Sequence, residues 1–373
     1  MVGDGVTIPD EYEALNFDDV REDVAELYRR SGAFNDELDS TYPVKIAGNV
    51  FESSFVLAKM DPDAYRNAQV EWQETRRADW LQLADSVLDD DAYPDNRAQF
   101  NRVVEAIRAG SIIPFVGSGV GVPCGNPTWS DFLRSLAPNH ILAAVQQHLD
   151  DGEFEEAAQL IADDLGRPLF WIKLENRLTQ DIRLRGPILM LAETFGAGCV
   201  VTTNFDPLLE AAFELMGERF CHVSTLLTPG RFRRALDEGR DVPQLLKMHG
   251  DAEEENGRVL TLDEFNSHYG NGAIDFTMPV PALAQRLLAS PLLFVGCGLN
   301  DDRVLQLARA VVDAAAPPAT RHYAILEAPE EEDPHLAERE RVLGDAHIFP
   351  IWYPSGEHDA VEALLAALAD RAR

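Results

Sequence analysis

From about Ala98 to the C-terminus, short apolar runs repeatedly stop at glycines or polar residues, and a helix signal follows each stop. The clearest case is Cys199-Val200-Val201, which feeds into Thr202-Thr203-Asn204-Phe205-Asp206. Asp206 is placed as a helix N-cap and Pro207 at the first helical position, with Leu208, Leu209, Ala212 and Leu215 at helical spacing. Strands that alternate with helices at this rhythm leave few folds open. They predict a mostly parallel sheet with helices on both faces.

The other strands are expected at Ile112–Val116, Leu245–Met248, Leu292–Val295, Tyr323–Leu326 and Ile348–Trp352. A helix is expected from about Thr128, with Asp131 completing a capping-box-like pair. The fold class that follows is α/β: a doubly wound, mostly parallel, Rossmann-like sheet over residues 98–373, with a helical insert at about 141–186. Residues 1–97 read as a mainly helical N-terminal extension, a cap or an oligomer or partner contact. It has helical stretches at Val20–Arg30 and about Asp61–Leu88, a loop between them marked by Gly32 and Pro43, and a linker at Asp89–Asp95.

The chain has 373 residues, enough for a large α/β core and an extra module. Its net charge of −32 argues against a standing nucleic-acid surface, which needs clustered Lys and Arg. Only Lys45, Lys59, Lys173 and Lys247 are lysines, and acidic runs recur at Asp89–Asp91, Glu253–Glu255 and Glu330–Asp333. These runs fit either a solvated surface in a salty or GC-rich host or a face for a basic partner. No apolar run is long enough to span a bilayer and no signal sequence is evident, so a cytoplasmic protein without membrane contact is expected. The cysteines Cys124, Cys199, Cys221 and Cys297 form no Cys-x-x-Cys, so no zinc or other metal is expected. Cys199 and Cys297 read as buried thiols in apolar strand patterns.

Four strand ends carry the candidate chemistry. Gly117-Ser118-Gly119 fits either a plain tight turn or a loop whose N–H groups approach a diphosphate. It lacks the Gly-x-Gly-x-x-Gly spacing, and no Gly-Lys-Ser/Thr is present. The Thr-Thr-Asn-Phe-Asp run is either a turn with a helix cap or the wall of a ligand crevice. His249-Gly250 closes the third strand; a lone histidine is ordinarily a surface or core residue. Gly296-Cys297-Gly298-Leu299-Asn300 is again a glycine turn that opens a helix. In a parallel sheet all four turns converge on one edge.

In order, spacing and identity these four motifs resemble the sirtuins, and more closely the sirtuin-like domains of prokaryotic anti-phage defence proteins. The resemblance covers about residues 100–355. It implies that Gly117, Ser118 and Gly119 hold the diphosphate of NAD⁺, with Thr203 beside them as a binding residue. It further implies that Asn204 and Asp206 face the nicotinamide ribose, that His249 acts on the ribose hydroxyls, and that Gly296, Gly298 and Asn300 contact the adenosine half. Two departures stand out. The two Cys-x-x-Cys pairs of the deacylating sirtuins are missing after His249, and the first loop reads Gly-Ser-Gly-Val. The defence-type relatives lack the zinc module as well and hydrolyse NAD⁺.

The resemblance therefore implies an NAD⁺ hydrolase that gives nicotinamide and ADP-ribose, an abortive-infection effector with NAD⁺ as substrate and Asn204, His249 and Asp206 as catalytic candidates. Asp206 stays open between a catalytic group and a helix cap. Alternatives are an NAD-dependent deacylase or ADP-ribosyltransferase, and a non-catalytic NAD⁺ or ADP-ribose sensor. Uncontrolled NAD⁺ hydrolysis would kill the host, so restraint is expected through a homo-oligomer or a partner such as an ATPase, an Argonaute or a phage component.

Overall fold

The computed structural model describes residues 21–46, 49–178, 184–196, 198–225, 243–254, 257–300, 302–314, 320–329 and 336–373. The expected irregular start, the acidic run Glu330–Asp333, Glu255 of the second acidic run and residues 179–183 of the insert lie outside the described residues. Nine strands are formed among the described residues. Val44–Ile46 (β1) and Asn49–Phe51 (β2) make a small antiparallel pair. The central sheet has seven: Ile113–Val116 (β3), Cys199–Thr202 (β4), His222–Thr225 (β5), Gln244–Lys247 (β6), Leu292–Val295 (β7), His322–Glu327 (β8) and Ile348–Tyr353 (β9). Their order is β5-β6-β4-β3-β7-β8-β9, and every pair is parallel.

Successive side chains of a strand point to opposite faces, so each strand feeds two cores. Val116, Val200, Leu245, Val295 and Ile325 face one layer, built from the helices Pro62–Leu88, Asn96–Arg108, Pro187–Phe195, Leu208–Leu215 and Asp359–Ala372. Phe115, Val201, Leu246, Phe294 and Ala324 face the other, built from Leu262–Tyr269, Pro279–Leu287, Arg303–Ala314 and Leu336–Asp345. This is the doubly wound, Rossmann-like arrangement expected from the sequence.

The chain enters the sheet at its centre. β4 is laid down on one side of β3, and β7 on the other. Strand order therefore reverses at β3, and the carboxyl ends of β3, β4, β6 and β7 lie side by side at the switch point where open α/β sheets keep their ligands.

Two helical units flank this sheet. Helices Trp129–Leu136, Leu142–Asp150, Phe154–Leu165 and Arg167–Leu178 form the insert around Phe132, Ile161, Phe170 and Leu174. The same core takes in Phe205, Ala252 and Leu260, so the insert sits on the loops that follow β4 and β6. Near the N-terminus, Glu22–Arg30, Gly32–Thr41, Ser53–Met60 and the start of Pro62–Leu88 gather around Val24, Phe34, Ala58 and Tyr65. Residues 32–60, expected as a loop, thus contain two helices and a strand pair. The buried Tyr65 hydroxyl holds Asn35 Oδ1 at 2.6 Å, and Phe34 packs edge-on against the Tyr65 ring at 5.5 Å. Tertiary contacts override a weak local signal here. Among the described residues no helix is long and apolar enough to cross a membrane.

Candidate active site

The turn after β4 is built by short-range bonds. Thr202 is fully buried; its Oγ1 donates to Val116 O on β3 at 2.7 Å and accepts the Asn204 N–H at 3.0 Å. That second bond turns the chain sharply, and Asn204 Nδ2 then donates to Gly117 O at 3.1 Å. Asn204 is 4% exposed, yet its Oδ1 has no hydrogen-bond partner. A buried acceptor left without a partner is costly and marks a place where a ligand or water is expected. Thr203 lies between Thr202 and Asn204, half-buried.

Asp206 was expected as the N-cap with Pro207 as the first helical residue. The helix instead begins at Leu208, with Pro207 at the cap position, while Asp206 Oδ1 still accepts the Leu208 N–H at 3.1 Å. Asp206 Oδ2 accepts from Asn126 Nδ2 at 3.1 Å, so both carboxylate oxygens are engaged. Burial raises its pKa, partly offset by the Leu208 N–H and Lys247. Asn126, Ser118, Asn204 and Asp206 share a cavity of about 20 Å³, roughly the space of one water, closed by Trp129, Phe132 and Phe205. Asn126 Oδ1, like Asn204 Oδ1, is buried without a partner. Nothing in the sequence marked Asn126, since its relation to Asp206 spans 80 residues.

Lys247 at the end of β6 ties two loops together. It is fully buried, and its Nζ donates to Asp206 O at 3.0 Å and pairs with Asp251 at 2.7 Å and Glu210 at 2.6 Å. Burial alone would lower its pKa, but the two carboxylates outweigh this and hold the ammonium charged. Lys247 is not among the site residues expected from the sequence; a lysine at the end of an apolar strand, in a chain with only four lysines, is the signal that could have marked it.

His249 follows two residues after Lys247. Gly250 behind it has a left-handed φ of +95°, and a Cβ there would meet Gly257 O at 2.6 Å, so only glycine fits. His249 is 9% exposed and packs edge-on against Phe265 at 5.2 Å. Its Nε2 lies 2.6 Å from the hydroxyl of Tyr269, itself fully buried. Burial, with a contribution from His268, pushes its pKa down to about 3, well below the ordinary imidazole value near 6.5. The imidazole is neutral.

The two glycine turns pack on each other. Gly117 and Gly119 donate to Val295 O at 2.9 Å and Gly296 O at 3.0 Å. A Cβ on Gly117 would meet Gly296 O at 2.4 Å, and one on Gly296, where φ is +69°, would meet Val120 N at 2.7 Å. These glycines serve the contact between β3 and β7. Gly298, in contrast, is exposed and would meet only the Asn300 side chain, at 3.4 Å. Cys297 sits in this turn rather than in the strand, is only partly buried, and places its Sγ 3.7 Å from Phe115 O.

Gly119, Gly296, Gly298 and Asn300 line a second cavity of about 1040 Å³ that extends over the ends of β8 and β9 to Glu327, Tyr353 and Glu362. Arg339, which the sequence did not suggest, lines it too; its guanidinium donates to Gly298 O at 2.8 Å and to Asn300 Oδ1. The expected residues are thus gathered on one sheet edge but divided. Ser118, Asn204 and Asp206 surround the small cavity, the later glycine turn and Asn300 the large one, and His249 lines neither.

Two comparisons with known proteins bear on this edge. "NAD(+) hydrolase ThsA" from Acinetobacter baumannii (strain 532279) is 23% identical over 214 residues, 56% of this chain. The matched stretch spans 40% of that relative, well under two thirds of its length. A family model described as "SIR2-like domain" matches residues 198–351, which run from β4 into β9 and include Asn204, Asp206, His249 and the second glycine turn. With a parallel sheet reversing at β3 and these polar turns on one edge, residues 198–351 are similar to a SIR2-like, that is sirtuin-like, domain.

Proposed function

We propose that this protein hydrolyses NAD⁺ between nicotinamide and ribose, releasing nicotinamide and ADP-ribose. The observation that carries this reading is Asn204, fixed through Nδ2 to Gly117 while its buried Oδ1 has no partner. The SIR2-like match, and a relative named as an NAD⁺ hydrolase, support the same chemistry.

Nicotinamide leaves NAD⁺ as a neutral molecule, so no acid is needed to expel it. Positive charge gathers on the ribose, as in glycoside hydrolysis. Asn204 Oδ1 is an acceptor suited to a water or ribose hydroxyl, and its orientation is already fixed by Gly117. Water that adds to the cationic C1′ becomes strongly acidic, so neutral His249 can take its proton despite weak basicity. Asp206, with both oxygens engaged, acts by position: it caps the helix at Leu208 and holds Asn126. The diphosphate is assigned to the loop Gly117-Ser118-Gly119 beside Thr203, with Ser118 as its donor because the Gly117 and Gly119 N–H groups already bond Val295 O and Gly296 O. The adenosine half is assigned to the large cavity with Gly296, Gly298 and Asn300. The defence role and the contacts with further copies or a partner protein belong to the same proposal, with residues 1–97 as the contact region.

The test is incubation of purified protein with NAD⁺ and chromatography of nicotinamide and ADP-ribose. Asn204→Ala and His249→Ala should each lower turnover by roughly a thousandfold with melting little changed. Near-normal NAD⁺ consumption by His249→Ala would sink the assignment.

A further inference from the structure

His249 and Tyr269 are 20 residues apart in sequence, and the fold encloses both. The helix Leu262–Tyr269 is fixed at its start by a capping box between Thr261 and Glu264, and beyond its end Tyr269 O accepts the Asp275 N–H at 2.8 Å. The tyrosine is therefore held at both ends of its local segment, and its hydroxyl reaches His249 Nε2 at 2.6 Å. A neutral phenol is a better donor than acceptor, and a neutral imidazole nitrogen is a strong acceptor. The stable arrangement is O–H···Nε2, which leaves the imidazole proton on Nδ1.

We propose that Tyr269 is a positioning residue for His249, whose hydroxyl fixes the imidazole tautomer and sets how readily Nε2 accepts a further proton. This inference rests on the role given to His249 above. The groups facing this pair are His268 on the same helix, Glu155 from the insert, and Asp302 and Arg303 at the start of the helix Arg303–Ala314. Arg303 and Glu155 form a two-pronged ion pair, with Nε–Oε1 and Nη2–Oε2 both at 3.0 Å. Burial, reinforced by Asp302 and Glu155, raises the Tyr269 pKa, so the resting phenol is neutral. The phenol oxygen faces the Nε2 lone pair, so a further proton reaches Nε2 through it: the phenol gives its hydrogen to Nε2 as its oxygen takes one from the substrate side, and Nε2–H then donates back to that oxygen. The tyrosine ends neutral, as it began. The imidazolium gains an acceptor at once, in a site where an unpaired charge would be costly.

Tyr269→Phe removes one oxygen and keeps the ring in its core. Loss of the phenol oxygen leaves the buried imidazolium without its acceptor, a larger loss than that of the O–H···Nε2 bond to the neutral ring, so the pKa of His249 should fall. Two measurements test this. In histidine-¹⁵N NMR of the protein without substrate, the wild type should show His249 protonated on Nδ1, and the variant a mixture of tautomers that titrates at lower pH. In NAD⁺ cleavage, kcat should fall about tenfold with KM within twofold, and the acidic limb of the pH profile should move down by about one pH unit. Tyr269→His, which restores a polar partner, should recover part of kcat. Identical tautomers and superimposable pH profiles would overturn the proposal. Absence of NAD⁺ cleavage by wild type would instead count against the hydrolase reading, and the NMR result would still decide the role of Tyr269.

Discussion

The two ends of the crevice are built in opposite ways. At the β4–β6 end, Asn204, Asp206 and His249 are all under 10% exposed, locked by Gly117, Asn126, Leu208, Lys247 and Tyr269. At the β7–β9 end, Gly298 and Asn300 are exposed over a cavity of about 1040 Å³, and Arg339 is the main tie. Chemistry with a developing charge gains most from groups that need not reorganise, whereas the end that admits a ligand must stay open. The difference separates an end held by a buried ion cluster, where loss of Lys247 should destabilise the chain, from an end where loss of a side chain should only weaken binding.

Lys247→Met tests the closed end most severely. It leaves Glu210 and Asp251 without their shared cation and should cost about 3–5 kcal/mol of stability in denaturant unfolding. A loss below about 1 kcal/mol would mean that this end is not held by its ion cluster. Acid comes next. His249 and His322 are pushed down by burial to about 3 and about 4, so between pH 6.5 and those values the unfolded chain binds protons that the folded chain refuses. Stability is full above pH 6.5 and falls with pH, by about 1.4 kcal/mol per pH unit for each histidine. Glu362, pushed up by burial to about 7, works the other way between pH 7 and 4.5, so the steepest loss is expected below pH 4.5. Melting temperatures at pH 7, 5.5 and 4 check this, and a flat series would refute it. The smallest effect belongs to the open end. Arg339→Ala should shift stability by less than about 1 kcal/mol while raising the KM for NAD⁺ several-fold. An equal loss of stability there would erase the distinction between the ends.

The sheet was largely legible because its strands are fully buried apolar runs with sharp ends; β7 falls on the expected residues, Leu292–Val295. β5 was missed: His222 and Val223 are exposed, and a half-exposed edge strand of four residues carries no apolar run. The polar turns were legible as motifs, and their convergence followed from parallel pairing. What binds them was not. Asn126 to Asp206, Tyr269 to His249 and Arg339 to Gly298 are contacts between distant segments, and none leaves a local pattern. The glycines at 117 and 296 were read for a ligand, whereas each is already required by the other's backbone.

β3 carries a further consequence, for assembly of the chain. The SIR2-like match begins at residue 198, yet β4 and β7 meet only through β3, contributed from residues 113–116. A fragment of the matched segment alone would have a sheet split down its middle, with the four-residue edges of β4 and β7 left unpaired. The sheet is continuous only through a strand more than 80 residues upstream of β4, a pairing of long sequence separation. Without that strand, the turns of the crevice have no common edge on which to meet.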